Sequence, residues 1–246
     1  MTPISLAIIG VTVVFSSFVS SVFGMAGGMV LLGVLLIYFD VTTGMVLFSI
    51  IQLATNGWRA LHWRKYVIWP VFYGYVAGGI VAFIIMRFIA FVPDKMTVYL
   101  ALGLMPFLVE VVPAAMRPNI EWRGIPFVTG VLTTIVQFLA GVGGLFLDIF
   151  FQKSSLDRKT TNATKAVTQT FSHILRALYF GSFGAVSDLN VAIWLPAMVL
   201  AVIGAALAPY VVERMTDHGF RQWTRAIIFV IAGVYLARAG WLVWRG

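Results

Sequence analysis

Polar residues in this chain are few and clustered, and they divide it into ten apolar stretches: residues 4–23, 25–39, 44–61, 66–91, 97–116, 125–140, 142–152, 160–180, 190–212 and 222–244. Each is read as a helix. At about 1.5 Å per residue most of them cover the roughly 30 Å hydrocarbon core of a bilayer, whereas the second and seventh do not. The pattern predicts an all-α integral membrane protein with about ten transmembrane helices. The two short segments are either re-entrant or complete a crossing begun by a Gly-rich turn that dips into the protein interior.

Composition points the same way. Of 246 residues, 61% are apolar and only 11% charged, and the mean hydropathy is +0.96. A soluble domain of this length needs roughly a quarter charged residues to cover its surface, so a soluble enzyme or free-standing binding module is excluded. The net charge is +8, yet no basic run interleaves with aromatics as a nucleic-acid groove requires, so no nucleic-acid partner is expected. The chain has no Cys, which removes disulfides and thiolate chemistry. The first apolar stretch lacks a basic leader and a small-residue cleavage site, and is read as a retained span.

Loop charge orients the spans. With ten crossings and the N-terminus outside, the inner loops hold Arg64, Lys65, Arg117, Arg123, Lys153, Arg158, Lys159, Arg214 and Arg221. Lys95 and Arg245 are among the few basic residues left outside, a strong positive-inside bias. If the two short segments fail to cross, that bias disappears. The expected location is the cell membrane, as a multi-pass protein of a bacterial inner membrane.

The two halves resemble each other. Met25 to Leu31, with Gly27 and Gly28, matches Gly141 to Leu147, with Gly143 and Gly144; Gln52 to Leu61 matches Gln169 to Leu178; and Trp69 to Gly79 echoes Leu195 to Ala205. Each half holds five segments, an odd number, so the second copy enters the membrane from the opposite side. The prediction is two inverted five-helix repeats, residues 1–118 and 119–246, in one membrane domain. Inverted repeats of this kind belong to alternating-access transporters.

The turns are the first candidate site. Glycine lets backbone N–H groups approach a ligand, and a helix N-terminus carries unpaired donors and partial positive charge. Gly27, Gly28, Gly143 and Gly144 are therefore candidate anion contacts; the competing reading is close helix packing by small residues. The second candidate is a pair of polar stripes. Gln52, Thr55, Asn56 and Arg59 share one helix face, as do Lys165, Gln169, Ser172, His173 and Arg176. Such groups cost free energy in hydrocarbon unless paired or facing a wet cavity, so they are expected inside the bundle as a binding site or as interhelical staples. Gln52 with Gln169 and Asn56 with His173 are repeat-related, which favours one shared site. Arg59 and Arg176 lie close to helix ends, within reach of the interface by snorkelling. Asp148, inside the seventh segment, is read either as half of an ion pair with Lys165 or as a proton-coupling acid; Glu110 raises the same question more weakly. Motifs for a membrane metalloprotease, a serine hydrolase or a phosphate-binding loop are absent, and no enzyme activity, cofactor or metal site is expected.

These residues resemble the sulfite exporter TauE/SafE family of membrane transporters over nearly the whole chain. The resemblance is carried by the two turns ending in Gly27, Gly28 and Gly143, Gly144, by Thr55 and Asn56 followed by His62, Trp63, Arg64 and Lys65, and by Asn162 to Lys165. Ala26 and Val142 interrupt the family's run of three glycines, and Gly33 and Ile149 stand where its proline would be. The resemblance implies ion-gradient-driven transport of sulfur-containing anions such as sulfite and organosulfonates, with the glycine turns and the polar residues of the following helices forming the site. The functional expectation is thus a secondary transporter of small anions, with protons or Na⁺ as candidate coupling ions and a homodimer as a candidate assembly. The alternatives are a non-transporting membrane subunit and a passive anion channel.

Overall fold

A computed structural model describes residues 2–23, 26–113, 116–185, 190–212 and 217–245; Gly24, Met25 and Arg214 lie outside them. The described residues form ten α-helices and no strand: α1 (Pro3–Phe23), α2 (Ala26–Tyr38), α3 (Val41–His62), α4 (Trp69–Ile89), α5 (Lys95–Val111), α6 (Ile125–Ala140), α7 (Gly144–Phe151), α8 (Arg158–Phe180), α9 (Val191–Val212) and α10 (Asp217–Arg245).

Local chemistry sets several boundaries. The Asp40 carboxylate accepts from the Thr43 N–H at 3.0 Å to start α3. Asp157, in the same register of the other half, accepts from Lys159 and Thr160 N–H at 2.8 and 3.1 Å to start α8. Both fill donors that a helix N-terminus otherwise leaves open. Gly141 closes α6 at φ 76°, with its N–H on the Gln137 carbonyl at 2.9 Å; a left-handed backbone favours glycine.

The apolar pattern locates all ten helices, and the structure revises their lengths. The seventh stretch is helical only over the 8 residues of α7, roughly 12 Å, less than half of a hydrocarbon core. Among the described residues four helices are long and apolar enough to cross a membrane, over Pro3–Val22, Trp69–Ile89, Val191–Ala208 and Arg225–Trp244. Only 22–33% of each window is buried within the protein, so their remaining apolar surface is matched to lipid. Helices α3 and α8 have 22 and 23 residues but carry polar stripes, because they pack on each other and on neighbouring helices.

The strongest packings join α4 to α6, α3 to α8, α1 to α9, α1 to α2 and α5 to α10, followed by α3 with α9 and α4 with α8. Exchanging α1–α5 for α6–α10 in order maps most of these pairings onto themselves: α1–α9 becomes α6–α4 and α3–α9 becomes α8–α4, whereas α1–α2 has only a slight counterpart in α6–α7, α7 being the shorter helix. Two of the interfaces depend on equivalent glycines. A Cβ on Gly78 of α4 would run into the Phe127 carbonyl oxygen and lie 2.9 Å from the Val131 nitrogen of α6; one on Gly204 of α9 would run into the Val14 carbonyl oxygen of α1. Both helix pairs are backbone-close, the mode that drives association where lipid tails remove the hydrophobic incentive. The main core cluster lies under these contacts and includes Leu32, Leu35, Phe48, Phe138, Tyr179 and Phe180.

Candidate functional site

A buried cavity lies where α3 and α8 meet the short helices α2 and α7. It is lined by Gly28 of α2, Gln52 and Asn56 of α3, Gly143 and Gly144 at the start of α7, and Gln169, Ser172 and His173 of α8. Phe48, Tyr75, Gln137, Val142 and Leu147 complete the wall. Both repeat-related pairs, Gln52 with Gln169 and Asn56 with His173, thus face the same space. The room for a water centre is about 20 Å³, enough for roughly one ordered water. A polyatomic oxyanion needs more room than this.

The two glycines of the first turn differ in position. Gly28 faces the cavity, where an added Cβ would sit 2.8 Å from Gln52 Nε2; Gly27 faces α1, where a Cβ would run into the Ser16 carbonyl and lie 2.6 Å from the Ser20 nitrogen. In the second turn Gly143, the N-cap of α7, has no side-chain cap bond. Gly143 and Gly144 bring the start of α7 and its free backbone donors to the cavity wall.

On α3, Thr55 donates to Ser17 Oγ of α1 at 3.0 Å, a link between helices outside the cavity wall. Asn56 donates to the Gln52 carbonyl at 3.1 Å, and its own Oδ1 accepts from Arg59 Nη1 at 3.3 Å. On α8, Ser172, the equivalent of Thr55, is bonded on both sides. Its hydroxyl meets Tyr75 Oη at 2.6 Å and its carbonyl accepts from Gln137 Nε2 at 2.7 Å. Thr133 of α6 adds a 3.0 Å bond to Tyr75 Oη. These hydroxyls are therefore fixed in place around the cavity.

Neither arginine snorkels. Arg59 is 6% exposed and Arg176 is wholly buried, because each points inward from its helix toward the partner half. Arg176 Nε donates to Ser49 Oγ of α3 at 2.7 Å, one terminal nitrogen donates to the Gly141 carbonyl at the end of α6, and the other meets His173 Nδ1 at 2.9 Å. The guanidinium also lies 4.2 Å over the Phe48 ring. Among the described residues Arg59 donates to Asn56 alone, and its Nε is buried without a partner.

Asp148 and Lys165 form an ion pair linking α7 to α8, with side chains 23% and 10% exposed. Arg59 lies within the electrostatic reach of the same carboxylate. Glu110 pairs with Arg225 of α10 at 3.3 Å on an exposed face. Among the described residues no cluster of His, Cys, Asp or Glu could hold a metal ion.

Sequence reasoning missed Tyr75, Gln137 and Phe48. For Gln137 a signal was present: Thr129, Thr133 and Gln137 recur every fourth residue along the sixth stretch and give it a polar edge. Tyr75 and Phe48 sit in apolar runs that no pattern singles out.

The sequence model of the family described as Sulfite exporter TauE/SafE matches residues 8–236. No curated protein and no solved structure matches the chain.

Proposed function

We propose, from the premise that the chain belongs to the sulfite exporter TauE/SafE family, that it is a secondary transporter that carries small anions such as sulfite or organosulfonates across the cell membrane. The family is one of membrane transporters, and the apolar helices fit a multi-pass membrane protein. The observation that carries the substrate class is the convergence of Gln52, Asn56, Gln169 and His173 with the glycines at the starts of α2 and α7 on one buried cavity. Amide, imidazole and backbone N–H groups in a site shielded from water bind an oxyanion without a carboxylate-compensated cation in direct contact.

The mechanism is alternating access between two inverted repeats. Support comes from the pairing of helices, most of which survives exchange of the halves, and from the cavity, which has less room than an anion needs. The α3–α8 contact holds one polar stripe from each repeat, so rocking one half against the other alters the site from both sides. Export of an anion is favoured by an inside-negative potential, whereas uptake needs a coupled proton or Na⁺. Asp148, paired with Lys165 beside the cavity wall, is the candidate coupling group.

Purified protein in liposomes, supplied with a panel of labelled anions with and without a pH gradient, tests the reading. Saturable uptake of sulfite or a sulfonate is expected. No flux for any anion under any gradient would replace the transporter with a non-transporting subunit, and non-saturable flux would make it a channel. Single-Cys labelling at positions 64 and 158 should place both on the inner face; opposite faces would defeat the inverted repeat.

A further inference from the structure

The arginine that follows each cavity residue by one turn has the same job in both repeats. Asn56 lies three residues before Arg59, and His173 three residues before Arg176, a spacing that brings side chains together on one helix face. At Asn56, Arg59 Nη1 donates to the amide oxygen, and the amide nitrogen donates to the Gln52 carbonyl. Both bonds demand the same amide orientation. The acceptor is engaged, and the second amide hydrogen is left for the cavity that Asn56 lines.

At His173 the argument is stricter. A guanidinium has donors and no acceptor, so Nδ1, 2.9 Å from Arg176 Nη2, must be the unprotonated ring nitrogen. The neutral ring then carries its proton on Nε2, the only ring nitrogen left for the cavity. A proton on Nδ1 would set donor against donor and cation against cation. Arg176 is itself held by Ser49, the Gly141 carbonyl and the Phe48 ring, so it cannot swing away and release the imidazole.

Resting on the anion-carrier reading above, we infer that Arg59 and Arg176 are repeat-related positioning residues. They engage the acceptor atoms of Asn56 and His173, so that each repeat offers the cavity an N–H donor and the site takes anions in preference to cations. Arg176 is not held by a carboxylate in an ion pair among the described residues, so it also adds positive potential, little screened in a buried site; Arg59, within reach of Asp148, adds less. Selectivity for charge sign is then built into hydrogen-bond polarity, without an arginine in the cavity wall.

The test uses the full-length protein in detergent or nanodiscs at about pH 7. ¹⁵N-imidazole NMR, with the His173 signals assigned by their loss in His173→Asn, should show a neutral ring protonated on Nε2. A ring protonated on Nδ1, or on both nitrogens, would overturn the assignment whether or not the protein transports anything. Sulfite binding by calorimetry gives the second arm. Asn56→Asp replaces a donor by an acceptor; it gives Arg59 a carboxylate but loses the bond to the Gln52 carbonyl, so the folded protein should still be recovered while sulfite affinity falls at least tenfold, the scale of a lost hydrogen bond to a charged group. Arg59→Met should weaken sulfite at least threefold, and Arg59→Lys, which keeps a donor for Asn56, should recover most of that loss. Unchanged affinity in both Asn56→Asp and Arg59→Met would overturn the inference. No sulfite binding by the wild-type protein would instead count against the anion-carrier reading, with the tautomer still deciding the arginine's role.

Discussion

The two polar stripes match in sequence register, Gln52 to Arg59 with Gln169 to Arg176, but their arginines are held very differently. On α8, Arg176 is wholly buried with three hydrogen-bonded neighbours and a ring face. On α3, Arg59 has one bond of 3.3 Å and an Nε with no partner. The difference comes from other helices, since Ser49 of α3 and the end of α6 supply what Arg176 needs and, among the described residues, nothing equivalent meets Arg59. A buried donor without a partner costs roughly 1–3 kcal/mol. The α8 side of the site is therefore the more firmly held, and the α3 side the more weakly held.

Truncating the two arginines is the most direct way to break this comparison. Arg176→Met strands Ser49, the Gly141 carbonyl and His173 and should cost roughly 3 kcal/mol or more. Arg59→Met removes one long bond together with an unsatisfied donor and should cost about 1 kcal/mol or less. Thermal unfolding in detergent measures both, and equal losses would erase the distinction between a firmly and a weakly held side.

The glycines of the first turn sharpen it at the level of backbone. Gly27→Val drives a branched side chain into the backbone of α1 and should cost roughly 3 kcal/mol, with little folded protein recovered. Gly28→Val meets the movable end of Gln52, so the protein should fold while anion uptake is lost. If both variants fold and transport normally, the start of α2 is not part of the site.

A smaller effect is expected at the ion pair. Asp148→Asn leaves Lys165 without its carboxylate and should lower stability by about 1–2 kcal/mol, since neither side chain is wholly shielded. Substrate exchange should persist. Loss of stimulation by a pH gradient at unchanged stability would instead mark Asp148 as the proton carrier.

The smallest effect belongs to the cap of α8. The Thr160 hydroxyl and N–H, with the Lys159 N–H, hold the Asp157 carboxyl below its ordinary value. A carboxyl lowered in the folded state contributes stability that is complete above its unfolded value and is lost as pH falls through the folded one. Asp157→Ala should therefore lower Tm slightly at neutral pH, and the gap from wild type should close under acid conditions. A gap independent of pH would show that the charge plays no part.

How much of this was legible in the chain follows from the range of each force. Hydrophobic length and loop charge act locally and additively, so the all-helical membrane class, the ten helices and the polar faces of α3 and α8 could be read directly. Repetition between the halves brought Gln52, Asn56, Gln169 and His173 forward as a set, because equivalent residues in related repeats are carried to equivalent places. The turns were legible as turns, but Gly27 and Gly28 could not be told apart. Adjacent helical residues point about 100° apart, and which of the two faces α1 and which the cavity depends on how α2 docks.

Tertiary structure alone decided the rest. It made Arg59 and Arg176 inward-facing, where nearness to helix ends had allowed them to snorkel; an arginine goes where its donors are met, and Ser49 and Gly141 lie 127 and 35 residues away from Arg176 in sequence. It added Tyr75, Gln137 and Phe48 to the cavity wall, residues supplied by α4, α6 and α3. It turned Thr55 toward α1 and its repeat equivalent Ser172 toward α4 and α6. The sequence by itself determined which groups are too polar for lipid and must be buried; the packing of helices distant in the chain decided which of them pair with each other and which are left facing the cavity, because a hydrogen bond is satisfied by a neighbour in space and that neighbour is chosen by the fold.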